Sequence, residues 1–385
     1  MHDLPNEPIN VGYTSEIFFS QNRGGISRLF SSLIQQYYSD KSFGIQANLM
    51  FANSANKHLG EANPSIIKND MSYILNSIRL TSGLGAIKLR NLIISHASGS
   101  KNINRDVDII HLTGFAPLKE DSLVDRPIVI TVHDLIPLRY PEHFKYFNPQ
   151  PGLKKIISQS SLIIVPSFDT KNACEEFFGD SLNLTVIPHG VNHAVFNTFE
   201  EEKPSEDFLF PYILFVGKRH KYKQFKILVD AIGILRNRNL DIGLIAIGGE
   251  KLLSREISQI HTSVPPNRFK KLNPNDTELA SLYRNALTFC FPSEAEGFGL
   301  PTLEAMSSGC TCVLTDIPIF REITSNTGVF FQKGDSESLA MSIEKIITDS
   351  ELKRNLISDG LRIAKEFSWQ KAAKQHSIAY RNILN

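Results

Sequence analysis

Two carboxylates eight residues apart, Glu296 and Glu304, bracket a turn whose backbone can meet an anion. The surrounding stretch, 287–309, reads LTFCFPSEAEGFGLPTLEAMSSG. Its apolar run, Leu287–Phe291, has the length of a buried strand. The run breaks at Pro292-Ser293, and the pattern becomes helical from Pro301. Proline suits a first helical turn, where its missing N–H would be unpaired anyway, so the donors around Phe298, Gly299, Leu300 and Thr302 are expected to point at an open site. Such an end attracts anions. A carboxylate on the first helical turn, the position expected for Glu304, can accept hydrogen bonds from a sugar or ribose hydroxyl. A surface loop with a helix-capping acid would have the same spacing.

A basic turn supplies the complementary charge. After the strand-like run Tyr212–Val216 and Gly217, four cations, Lys218, Arg219, Lys221 and Lys223, fall within six positions around His220, before an apolar-periodic helix at Ile227–Leu235. A charge run is usually a solvated face. Between a strand end and a helix start, however, an arginine fork and a lysine point charge can neutralise a diphosphate. Lys218 and Lys221 read as solvated.

Histidines end two earlier strand-like runs. His133, in Thr131-Val132-His133-Asp134-Leu135-Ile136-Pro137, would project from a strand's carboxyl end and donate to a sugar hydroxyl or a diphosphate oxygen. His111 reads equally as a cleft-lining or a satisfied core histidine, and His189 as structural. Gly24-Gly25, before another helix, would let the backbone approach a phosphate, although such a pair is often only a turn. It lacks a full G-x-G-x-x-G, which argues against a nicotinamide or flavin cofactor.

These groups need strands to carry them. Apolar runs recur at Ile9–Phe19, Ile45–Ala52, Asp108–Thr113, Ile128–His133, Leu162–Pro166 and Leu184–Pro188, separated by stretches long enough for helices. After a polar, acidic insert the pattern restarts at Tyr212–Val216, Ile242–Ile247, Phe269–Leu272, Leu287–Phe291, Cys310–Leu314 and Val329–Phe331. Alternating β and α predicts two doubly wound parallel sheets covered on both faces, with ligands beyond the carboxyl ends of the strands. The 385 residues suit two domains: 1–190, a linker at 191–207, and 208–369, with 370–385 packing back on the first.

Composition narrows the class. The hydrophobic fraction of 42% and charged fraction of 21% are those of a globular protein, and a net charge of +1 gives no case for nucleic acid. Cys174, Cys290, Cys310 and Cys312 have no metal-ligand pairing and read as reduced core residues. Without a leader pattern or an apolar run of membrane-spanning length, the expected location is cytoplasmic. Residues 57–105 carry seven Lys and Arg against Glu61 and Asp70, interleaved with aliphatic residues. That segment could lie on an anionic membrane or form ordinary amphipathic helices.

The wording of the motifs is more specific than their spacing. Pro292-Ser293-Glu294-Ala295-Glu296-Gly297-Phe298-Gly299-Leu300-Pro301-Thr302-Leu303-Glu304-Ala305-Met306 resembles the donor-binding signature of the family-4 retaining glycosyltransferases. The resemblance implies the GT-B fold: two facing Rossmann-like domains, the first for acceptor and the second for donor, with a C-terminal helix, here from Trp369, crossing back to the first. It implies a hexosyltransferase with no metal and no cofactor, whose nucleoside-diphosphate sugar is a co-substrate and whose acceptor is a saccharide or lipid-linked saccharide of cell-surface polysaccharide synthesis. By the same resemblance, Arg219 and Lys223 clamp the diphosphate, with Gln224 where the family commonly has Asn. Gly24, Gly25, Gly217, Phe298, Gly299 and Leu300 line the nucleotide side, Glu304 holds ribose, and Glu296 and His133 attend the sugar. The HDL-x-P wording resembles members that transfer mannose, which leans the donor towards GDP-mannose. A phosphorylase or epimerase on the same fold, and a silent scaffold, are the alternatives.

Overall fold

In this computed structural model, residues 7–21, 24–50, 54, 56–62, 107–115, 126–144, 150–196, 210–219 and 221–385 are described. Most of the basic segment 57–105, part of the expected linker, and His220 lie outside them. The chain divides into two units: Met1–Gly190 with Trp369–Asn385, and Val191–Ser368.

The first unit is built on six parallel strands: β1 (Ile9–Tyr13), β2 (Ile45–Leu49), β3 (Ile109–Leu112), β4 (Ile128–Thr131), β5 (Leu162–Val165) and β6 (Leu184–Val186), in the order β2-β1-β3-β4-β5-β6. The second has β7 (Tyr212–Val216), β8 (Gly243–Ile247), β9 (Phe269–Leu272), β10 (Thr288–Phe291), β11 (Cys312–Thr315) and β12 (Val329–Phe331), in the order β12-β11-β10-β7-β8-β9. Strands β3, β4, β5, β10 and β11 are buried along their whole length. Near-continuous aliphatic runs suit such two-faced burial, because helices cover both faces of a parallel sheet. Each Ile or Val wholly removed from water there contributes about 1.5–3 kcal/mol.

The helices that matter to the site are α1 (Glu16–Ser20), α2 (Gly25–Ser39), α3 (Phe225–Asn237), α4 (Leu300–Ser307) and α5 (Trp369–Asn382). Helix α2 buries Leu29, Phe30, Leu33, Ile34 and Tyr37, an i, i+3, i+4 stripe that makes one apolar face. Tyr37 donates from that stripe to the Ala373 carbonyl at 3.1 Å, fastening α5 to the first unit. Trp369, at the start of α5, is buried and stacks on His189 with ring centroids 6.3 Å apart. All four cysteines are free and buried.

Two of the boundaries that differ from the sequence reading bear on the site. The run Ile9–Phe19 is not one strand. β1 stops at Tyr13, and Ile17, Phe18 and Phe19 are buried on α1 instead, since a short apolar run fills a strand or a buried helix equally well. Glu304 lies in the second turn of α4 rather than the first, because Gly299 is the N-cap and Leu300 opens the helix.

The sheet orders fix where ligands can sit. Strand β1 is flanked by β2 and β3, and β7 by β8 and β10, so the connections leave in opposite directions at β1/β3 and at β7/β10. The crevice beyond the carboxyl ends at such a reversal is the general ligand position of open α/β sheets.

Candidate functional site

At the β7/β10 reversal the sheet delivers the basic turn and the acidic turn to one another. Lys223 ends a single 3-10 turn, Lys221–Lys223, before α3, and its ammonium pairs with the Glu296 carboxylate on the loop after β10. The same Nζ lies 4.9 Å from the Phe291 ring centroid and 5.3 Å from that of Tyr222, so aromatic faces support the cation as well. Both side chains are nearly shielded from solvent, at 13% and 11% exposure. Little water competes with this pair, and each charge depends on the other.

Arg219 occupies the turn differently. It donates from Nη1 to the Gly248 carbonyl at 3.2 Å and from Nη2 to the Glu250 carbonyl at 2.7 Å, with Nε 3.6 Å from Glu256. The guanidinium is thus anchored on the turn after β8, and each terminal nitrogen keeps a second N–H. Glycine makes this possible at Gly249, where φ is +70° and a Cβ would stand 2.6 Å from Arg219 Nη1. Gly217, at φ +149°, donates to the Ile247 carbonyl at 2.9 Å, so the turns after β7 and β8 pack backbone against backbone. Lys218 is exposed.

Gly299 caps α4 at φ +87°, and a Cβ there would press on Ile323 and Phe320 at 3.1 and 3.2 Å. Both the backbone and the packing therefore require glycine. Leu300 and Glu304 are buried, and the Phe298 ring packs edge-on against Phe367 at 6.1 Å. Sequence reasoning passed over the Ser293 and Thr302 hydroxyls, which are buried and have no hydrogen-bond partner among the described residues. It also passed over the bond from the Gln224 carboxamide to Glu294. Sequence separation of 70 residues hid that last contact.

At the β1/β3 reversal of the first unit stands a buried acid. Thr113 donates to Glu16 Oε2 at 3.1 Å, and burial pushes the Glu16 carboxyl above the usual carboxylate range against the hydrogen bonds it receives. Gly114 leaves it room, since a Cβ there would be 2.9 Å from the Glu16 Cβ. Neither Gly24 nor Gly25 has a positive φ. Gln21 Oε1 accepts from the Ser27 N–H at 3.2 Å at the start of α2, and Gly24 leaves space for that carboxamide.

His133 follows β4 and is buried, with the Phe30 ring edge-on at 5.7 Å and His189 at 6.1 Å. Neither of its ring nitrogens has a hydrogen-bond partner among the described residues. Burial, helped by the field of His376, pulls its imidazole down to about 3, so it is neutral and keeps one N–H to donate. His111 is a satisfied core histidine: Nδ1 meets the Tyr380 hydroxyl at 2.6 Å and Nε2 the Thr131 hydroxyl at 2.8 Å. No three His, Cys, Asp or Glu side chains among the described residues are placed to hold a metal ion, so this histidine cluster is not read as a metal centre. The chain does contain one D-x-D string, Asp106-Val107-Asp108. Asp108 precedes β3 and accepts from the Asn10 N–H at 2.8 Å, at the end of the sheet opposite the ligand edge, while Asp106 lies outside the described residues.

The family model for glycosyl transferases group 1 matches residues 197–362, and that for glycosyltransferase family 4 matches 49–195. The O-antigen chain mannosyltransferase RfbU of Salmonella typhimurium is 27% identical over 56% of this chain, which spans 60% of that protein. The D-inositol 3-phosphate glycosyltransferase of Paenarthrobacter aurescens is 26% identical over 72% of this chain and 73% of its own length. Among solved structures, sucrose-phosphate synthase from Thermosynechococcus elongatus superposes with a TM-score of 0.75 at 17% identity, covering 98% of this chain and 99% of that one. HepE of Anabaena, in complex with UDP-glucose, gives 0.70 at 20% identity over 97% and 100%. No helix among the described residues is long and apolar enough to cross a membrane.

Proposed function

Because this chain belongs to the glycosyltransferases of group 1 and family 4, with the GT-B fold, we propose that it moves a hexose from a nucleoside-diphosphate sugar to a saccharide or lipid-linked saccharide hydroxyl, with retention of configuration. The observation that carries this reading is the Lys223–Glu296 pair at the β7/β10 reversal. A cation and an acid held there suit a donor that is anionic at its diphosphate and hydroxylated at its sugar.

In the reaction, the bond from the anomeric carbon to the diphosphate oxygen breaks, and the nucleoside diphosphate leaves with the electron pair. The acceptor hydroxyl oxygen bonds to the same face of that carbon, and its proton passes to the departing phosphate oxygen. Lys223 and the second N–H groups of the Arg219 terminal nitrogens lower the barrier by meeting charge as it develops on the leaving group, with no metal ion required. Gly217, Gly299 and the backbone at Phe298 and Leu300 form the nucleotide's bed, with Glu304 on ribose. Glu296 holds sugar hydroxyls and favours positive character at the anomeric carbon, and neutral His133 donates to the sugar. Gly24 and Gly25 are assigned to the diphosphate side. Mannose from GDP-mannose, used in cell-surface polysaccharide synthesis, is the preferred donor. The HDL-x-P wording and the O-antigen mannosyltransferase relatives support it. A peripheral position on an anionic membrane, through 57–105, suits a lipid-linked acceptor.

Steady-state kinetics and calorimetry separate the two acids. Glu304→Gln is expected to raise the donor KM about tenfold, because its contacts are alike in ground and transition states. Glu296→Gln is expected to lower kcat by roughly 10²–10³ while free nucleoside diphosphate binds nearly as before. The reverse pattern would exchange the roles, and no change in either variant would remove the acids from the reaction.

A further inference from the structure

Lys223 carries its charge on a long, flexible side chain, so its usefulness depends on how firmly its backbone is held. That backbone lies between two ties to the loop after β10. On one side, the Glu294 N–H donates to the Tyr222 carbonyl at 2.8 Å. On the other, the Gln224 Nε2 donates to the Glu294 carboxylate. A single residue of the acidic loop thus grips the basic turn on both flanks of Lys223, and the loop places Glu296, which pairs with Lys223, two positions further on.

Gln224 shows that the turn has been shaped for this grip. Its φ and ψ of 49° and 33° are left-handed, a conformation that side chains with a Cβ rarely adopt. It stands at the N-cap of α3, where a short polar side chain would ordinarily bond the first turn, yet it makes no side-chain cap. Its carboxamide reaches across to Glu294 instead. Strained backbone of this kind persists where surrounding contacts over-determine it.

We infer that Gln224 and Glu294 are positioning residues for the transfer reaction: together they brace the 221–224 turn against the acidic loop so that Lys223 is held at the leaving diphosphate. This rests on the donor-site reading of Lys223. Neither residue need touch the substrate. Their effect runs through Lys223, which gives it a signature that general loss of stability lacks.

The experiment is a mutant cycle on the full chain. It reads kcat and KM from release of nucleoside diphosphate with GDP-mannose or UDP-glucose, together with GDP and UDP binding by calorimetry. Gln224→Ala and Glu294→Ala should each lower kcat about tenfold, and the two combined should cost no more than either alone. Glu294→Gln keeps an amide oxygen that accepts from Gln224, so its kcat should stay within about twofold of the parent. Gln224→Gly frees the left-handed backbone but lacks the bridge, so it should be as slow as Gln224→Ala. In a Lys223→Ala background, adding Gln224→Ala should change the residual rate and nucleotide affinity less than twofold. A full tenfold effect in that background, or parental activity for Gln224→Gly, would overturn the brace. Should Lys223→Ala itself leave both rate and binding untouched, the donor-site reading fails, and the brace with it.

Discussion

Replacing Lys223 by alanine is expected to reduce transfer by at least 10²–10³, because one preorganised donor at developing transition-state charge is worth about that much. The pairing with Glu296 predicts a second consequence. Removing the cation strands a largely buried carboxylate, and breaking one side of such a pair costs about 3–5 kcal/mol. Lys223→Ala should therefore melt earlier as well as fail to turn over. Lys223→Ala/Glu296→Gln should regain much of the melting temperature, since no unpaired charge is left, while remaining inactive. Lys218→Ala, at an exposed position, serves as the control and should behave like the parent. Equal losses from Lys218→Ala and Lys223→Ala would show that the turn acts as a diffuse basic field.

The second large effect is acid sensitivity of the first unit. Burial pulls the His133 imidazole down to about 3 and that of His376 to about 4, and holds His111 and His189 well below the ordinary imidazole value. These groups are neutral in the fold and take protons freely only when unfolded, so the unfolded state binds more protons below about pH 6.5. Stability is fully present above that value and is lost as pH falls towards the folded pKa values. By pH 5.5 the unfolded histidines are largely protonated while the buried ones are not, so the four together withdraw on the order of 5 kcal/mol, a large share of the stability of many domains. Glu16 acts in the opposite sense. Its carboxyl is raised, so its contribution is present at low pH and is lost as pH rises through its folded value, a partial offset in the acid range. Trp369 is the sole tryptophan and stacks on His189 within this unit, so its fluorescence reports the unit directly. Its urea midpoint should fall steeply between pH 7 and 5.5. A midpoint unchanged across that range would mean that the histidines are already protonated in the fold.

What could be seen in the sequence was whatever is local. The doubly wound alternation, the glycine-bearing turn between Phe291 and the following helix, and the acids at 296 and 304 are legible because strand length, turn chemistry and helix starts are set by near neighbours. Periodicity misjudged Ile9–Phe19, since Ile17, Phe18 and Phe19 satisfy a buried face in either conformation. The partners were not legible. Lys223 meets Glu296 across 73 residues, and His111 meets Tyr380 across 269, distances over which only the fold itself decides contact. Arg219 could be placed at the basic turn from its spacing. That its guanidinium would rest on the carbonyls after β8 could not, because those acceptors are backbone atoms and leave no mark in residue type.

The central claim is that the β7/β10 reversal is a nucleotide-sugar donor site working by charge from Lys223 and Arg219. Its most direct test follows the products by proton NMR when the full chain is given GDP-mannose, UDP-glucose or a dTDP-sugar with saccharide and lipid-linked saccharide acceptors, in excess chelator. The account predicts release of the nucleoside diphosphate from one of these donors, coupled to a new glycoside with the donor's own anomeric configuration. An inverted glycoside, activity that returns only with added magnesium, or release of a sugar phosphate with inorganic phosphate as the acceptor would contradict it.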